Sequence, residues 1–131
     1  MTTPGQPLDQ ARQLFHRGDF AGASAAWQRA TRGGKNTFDS DILGARIQNA
    51  MGNPTQARFL AERAAASAGT EARRLATAGG VLGEVGLNEK GAEAYRKAAR
   101  LAPGDAGIAA CLVGITFRTG RYDEALAESE R

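Results

Sequence analysis

Cysteine and histidine each occur once in this sequence, as Cys111 and His16. One cysteine cannot close an internal disulfide, and one cysteine with one histidine cannot assemble the usual zinc ligand sets, so no structural metal is expected. No cofactor is expected either. Aromatic residues make up only 6% of the chain, a composition that argues against a core of sheet packed on sheet. No stretch approaches the roughly 18 apolar residues of a membrane span. The opening Met1-Thr2-Thr3-Pro4-Gly5-Gln6-Pro7 has neither a basic nor an apolar leader region, so the expected compartment is the cytoplasm. Charge of one sign is also missing, with 17 Lys plus Arg against 14 Asp plus Glu and a net charge of +3. That balance permits nucleic-acid binding without demanding it.

What the chain has in abundance is alanine, its commonest residue, within a 42% hydrophobic total. This is enough material for one domain with a buried core. A core of small side chains allows close approach of helix to helix, and alanine is the strongest helix former.

The sequence repeats. Gly18, Gly52, Gly86 and Gly120 are evenly spaced, one period of about 34 residues apart, and each precedes a helical pattern. Read from the glycine, GDFAGASAAWQRA, GNPTQARFLAERA, GLNEKGAEAYRKA and GRYDEALAESER align without a gap. Five positions after the glycine stand Ala23, Ala57, Gly91 and Ala125; twelve after stand Ala30, Ala64 and Ala98. These small residues are about two turns apart on one helix face, where they admit a partner helix. Trp27 and Tyr95, nine after their glycines, fill the space between.

This pattern predicts two antiparallel helices per repeat, joined where the glycine reaches positive φ and ends the first helix. First helices are expected at about 7–17, 38–51, 71–85 and 105–119, with Asp39 or Ser40, Thr70 and Asp105 as N-caps. Second helices are expected at about 20–32, 54–67, 88–101 and 122–131, with Asp19, Asn53 and Asn88 supplying turn or cap chemistry. Pro54 suits a first turn and Pro103 follows a helix end.

On these residues the chain resembles the tetratricopeptide repeat family, whose unit has the same length, about 34 residues. The closest stretches are GLNEKGAEAYRKAARLAP from Gly86 and GRYDEALAE from Gly120. The family's aromatic two positions after the glycine is present as Phe20 and Tyr122 but replaced by Pro54 and Asn88, and only the third repeat has the closing proline. The resemblance implies an all-α, right-handed superhelix of four helix-turn-helix repeats over 1–131, at about 4–37, 38–71, 72–105 and an incomplete 106–131. In such a solenoid each repeat packs only on its neighbours.

The resemblance further implies that first helices line a concave groove. Its expected lining is Arg12, Phe15, His16, Asp39, Ile42, Arg46, Asn49, Arg73, Glu84, Phe117 and Arg118. Arg12 and Arg46 occupy equivalent places, so stacking would put two guanidiniums on one ladder, with Arg73 as an extension, able to grip carboxylates of an extended peptide. One subgroup of the family clamps chaperone C-terminal carboxylates with Lys and Asn. The matching places here hold Leu8, Arg12, Leu43, Arg73 and Thr77, so that activity is not implied.

Other features have plainer readings. Gly79, Gly80 and Gly83 lie in one helical stretch, each costing about 1 kcal/mol against alanine; tight helix packing explains them better than a phosphate loop, which needs a preceding strand and a Gly-Lys-Ser/Thr. That helix should be the softest. Cys111, in IAACLVGI, reads as a small buried residue. His16 falls three repeats away from it, so no catalytic constellation is expected.

The expected function is a protein interaction module taking a protein or peptide ligand, acidic for preference, in the groove, and not an enzyme. Two alternatives are an N-terminal accessory domain of a bacterial sulfotransferase or aspartyl/asparaginyl hydroxylase, by resemblance to proteins with such repeats, and RNA binding through the arginines. The fourth repeat stops early, which leaves Leu112, Phe117 and Leu126 on an open face and predicts a missing continuation or self-association.

Overall fold

The computed structural model describes the backbone of residues 6–129 and the side chains of residues 8–120. Seven α-helices follow one another: α1 Gln6–His16, α2 Phe20–Ala30, α3 Phe38–Ala50, α4 Pro54–Ser67, α5 Ala72–Glu84, α6 Asn88–Leu101 and α7 Ala106–Ser129. There is no strand among the described residues.

The glycine turns form three times with the same hydrogen bonds. Gly18, Gly52 and Gly86 have φ of 85°, 79° and 89°. At each one the glycine N–H donates three positions back, to Phe15, Asn49 and Gly83, and the next N–H donates five positions back, to Leu14, Gln48 and Leu82. This pairing of bonds is the Schellman motif, which satisfies carbonyls otherwise orphaned at a helix end.

The starts of the helices are less uniform. Asp19 caps α2, its carboxylate accepting from the Gly22 N–H at 2.9 Å. Asn53 stands at the N-cap of α4 without a side-chain bond to the helix, and Pro54 opens the first turn. In the third repeat Leu87 takes the cap place and Asn88 falls inside α6, because the Schellman bond from Leu87 to Leu82 fixes Leu87 as the last turn residue. The α3 cap is Thr37, in a reciprocal capping box with Ser40, and the α5 cap is Glu71 where Thr70 was expected. Asp105 caps α7 as expected, accepting from the Ile108 N–H at 3.0 Å.

Each helix packs on the next, and α1, α3, α5 and α7 also touch in series. This arrangement is an all-α solenoid with the first helices along one side. The small residues five after each turn glycine, Ala23, Ala57 and Gly91, are buried, as are Ala64 and Ala98. Around them the central core gathers Ile42, Leu60, Val81 and Leu82 from α3, α4 and α5. Trp27 covers Gly44, where a Cβ would come within 2.6 Å of the indole, and its Nε1–H donates to the Ser40 carbonyl at 2.6 Å. Gly79 and Gly91 let α5 and α6 meet backbone to backbone, since a Cβ on Gly91 would lie 2.8 Å from the Gly79 oxygen. Tight packing thus accounts for Gly79, and Tyr95 lies against both Gly79 and Gly80.

The fourth unit differs from the expected pair of helices at 105–119 and 122–131. It is one helix, α7, running through Gly120, which is not among the positive-φ glycines. Gly120 costs only about 1 kcal/mol inside a helix, and the residues after it include Glu, Ala and Leu, all good helix formers. A turn prevails only where packing of the second helix exceeds the gain from continuing. Cys111, expected to be buried, is exposed on α7, because no further described helix covers that side. The expectation for Leu126 lies outside the described side chains.

Candidate functional site

Three residues of α1 and four of α3 meet in one cavity of about 260 Å³, lined by Arg12, Phe15, His16, Asp39, Ile42, Leu43 and Arg46. Helical spacing puts each set on one face: positions 12, 15 and 16 on α1, and 39, 42, 43 and 46 on α3. The capping box at Thr37 and Ser40 fixes the start of α3 and hence the direction of this face. Ile42 and Leu43 are buried and form the floor, while His16 and Asp39 stand exposed at the rim. Phe15 is held from behind by Phe20, with ring centroids 5.5 Å apart.

Both guanidiniums carry an internal partner. Arg12 donates to the Asp9 carboxylate one turn away at 2.9 Å. Arg46 donates through Nε to Glu84 of α5 at 3.3 Å, and Asn49 adds a long bond to the Glu84 carbonyl at 3.5 Å. All four charged groups are substantially exposed, a setting in which ion pairs are weak and exchangeable. Each bond uses one nitrogen of a five-donor group, which leaves donor capacity for a ligand carboxylate.

Six of the eleven residues expected in the groove therefore line one cavity, and Asn49 and Glu84 adjoin it through Arg46. The other three lie elsewhere. Arg73 is exposed near the start of α5, a helix whose far end carries Glu84. Phe117 and Arg118 are on α7, and Arg118 borders a separate hollow with the Gly86–Lys90 segment. His16 on α1 and Cys111 on α7 belong to the first and last units. Among the described residues, no group of three or more His, Cys, Asp or Glu is placed to hold a metal ion. No described helix is long and apolar enough to cross a membrane.

Sequence reasoning passed over Leu43 as groove lining, although its position four after Asp39 on the same helix carries the signal. It also passed over Asp41. This carboxylate is 3% exposed in the α3 core face and is held by Arg63 of α4 through two bonds, 3.0 Å from Nε and 2.7 Å from a terminal nitrogen. The bonds to Asp41 raise the Arg63 pKa above its ordinary value. The available signal was an acid inside the largely apolar run from Ser40 to Ile47. On the third repeat, burial pushes the Tyr95 hydroxyl up to about 12, with Cys111 and Glu84 acting in the same direction and Arg118 against it.

Among solved structures, the C-terminal TPR-containing domain of a Plasmodium falciparum FK506-binding protein is similar over 94% of this chain and 97% of that one, with a TM-score of 0.59 and 14% identity. The fold is that of a tetratricopeptide repeat domain. At this identity the likeness concerns the fold alone. Within the tetratricopeptide arrangement, the Arg12–Arg46 cavity lies between the first helices of repeats one and two. No family model matches the chain, and a comparison with curated proteins finds no match.

Proposed function

We propose that the chain is a protein interaction module whose first-helix face binds an extended segment or helix of a partner protein, with an acidic side chain or carboxylate of that partner between Arg12 and Arg46. The observation that carries this reading is the convergence of Arg12, Phe15, His16, Ile42 and Arg46 on one cavity from two helices. An apolar floor with paired arginines at its edge is the composition of interface hot spots, in which a few residues dominate the affinity. Arginine suits carboxylates because its planar fork donates two parallel N–H bonds.

The test is binding of an acidic peptide array to the wild-type chain and to an Arg12→Ala/Arg46→Ala variant, with circular dichroism to confirm that the variant stays helical. An acidic peptide bound by the first and weakened about tenfold or more in the second supports the proposal, a loss of roughly 1.4 kcal/mol. Equal binding by both chains, or preference for single-stranded RNA with a steep loss in salt, overturns it.

A further inference from the structure

The repeat period maps the contacts of α5 and α6 onto α7. In repeat three, Gly79 and Gly80 receive the second helix: a Cβ on Gly79 would lie 3.0 Å from the Tyr95 ring and 3.1 Å from the Gly91 oxygen, and one on Gly80 would lie 3.0 Å from the Tyr95 hydroxyl. Their equivalents on α7 are Val113 and Gly114, and the equivalent of Gly91 is Ala125. Val113 is 68% exposed, and a Cβ on Gly114 would meet nothing within 4 Å. The position that is buried in each earlier repeat, as Ala11, Ala45 and Gly79, is therefore uncovered on α7 at Val113.

The sequence that belongs on this face is in the same chain. Gly120-Arg-Tyr-Asp-Glu-Ala-Leu-Ala-Glu follows the pattern of the other second helices, with small Ala125 five after the glycine, where Ala23, Ala57 and Gly91 are buried. Yet the chain does not turn at Gly120. In the single helix Ala106–Ser129, Val113 and Ala125 are about 18 Å apart along the axis at 1.5 Å per residue. The segment cannot reach its own receiving face while α7 is continuous.

We infer that a second copy of this chain supplies the missing helix: two molecules exchange residues 122–129, each laying that half of α7 on the Val113–Gly114 face of the other. The occupant is a second copy because this segment has the register of the other second helices and a small residue, Ala125, where they have Ala23, Ala57 and Gly91. Such an exchange keeps the contacts of a closed repeat while straightening the hinge, which is the usual economy of domain swapping, and the two-fold arrangement is self-limiting.

Two measurements test the exchange. Sedimentation of the whole chain should give twice the 13.7 kDa chain mass, Val113→Glu should return it to one chain mass with helical content retained, and Gly120→Ala should raise the dimer share by removing the glycine that a closed turn requires. The second uses Val113→Cys with Ala125→Cys in a Cys111→Ser background, followed by oxidation. A covalent dimer on a non-reducing gel supports the exchange. A cross-link within one chain means that the fourth repeat closes on itself and overturns it. So does a monomer without cross-link, or a dimer indifferent to Val113→Glu.

Discussion

The Arg46 guanidinium of α3 donates to the Glu84 carboxylate of α5 at 3.3 Å, tying the wall of the first cavity to the third repeat. A ligand carboxylate arriving at Arg46 competes with Glu84. Replacing Glu84 by Gln should therefore strengthen an acidic peptide about two- to fivefold, roughly 0.4–1 kcal/mol. Folding stability should change by less than about 1 kcal/mol, because the pair is exposed. Fluorescence anisotropy and urea unfolding check the two halves; weaker or unchanged binding would remove Arg46 from the ligand's path.

Asp41 and Arg63 form the opposite kind of pair, with the carboxylate out of water. Arg63→Ala leaves that carboxylate without its two donors, and the expected loss is about 1–3 kcal/mol. The partial exposure of Arg63 keeps the figure below that of a fully buried pair. The urea midpoint at neutral pH reads it, and a loss that vanishes in the Asp41→Asn/Arg63→Met double variant would confirm that the lone charge was the cause.

Gly44→Ala forces a methyl to within 2.6 Å of the Trp27 ring unless something moves. Overpacking of this kind costs about 1–3 kcal/mol. The indole is the sole tryptophan, so its emission reports the event directly. A red shift, with the Nε1 bond to Ser40 lost, is expected alongside a lowered midpoint; unchanged emission would mean that α3 yields instead of the ring.

Tyr95 predicts a loss of stability at alkaline pH. Its hydroxyl ionises at about 12 in the folded chain against 10.0 as the ordinary value. Between those two values the native state holds a proton that the unfolded state releases, so the contribution of Tyr95 to stability is intact below about pH 10 and is lost as pH rises towards 12. Absorbance at high pH should show one late-titrating tyrosine, and Tyr95→Phe should flatten the decline. A Tyr95→Phe profile as steep as wild type would assign the loss to another group.

Much of the fold was legible because its signals are local. A Schellman turn is built within a short run of consecutive residues and needs one glycine at positive φ, so Gly18, Gly52 and Gly86 marked three turns and the bounds of α1 to α6 fell close to those expected. Helical spacing likewise put Arg12, Phe15 and His16 on one face, and Asp39, Ile42 and Arg46 on another. Gly120 carried the same local signal and did not turn, since a glycine permits positive φ without enforcing it.

The sequence by itself determined the repeat length and the helices of the first three repeats, consequences of periodicity and turn chemistry over short range. Only the tertiary structure decided which of those residues meet. Arg46 finds Glu84 across 38 positions, Arg63 finds Asp41 across 22, and Arg73 stays apart from the cavity, because such contacts depend on how each repeat is rotated against the last. Whether a glycine ends a helix also depends on whether packing beyond it outweighs continuing the helix, and α7 continues through Gly120.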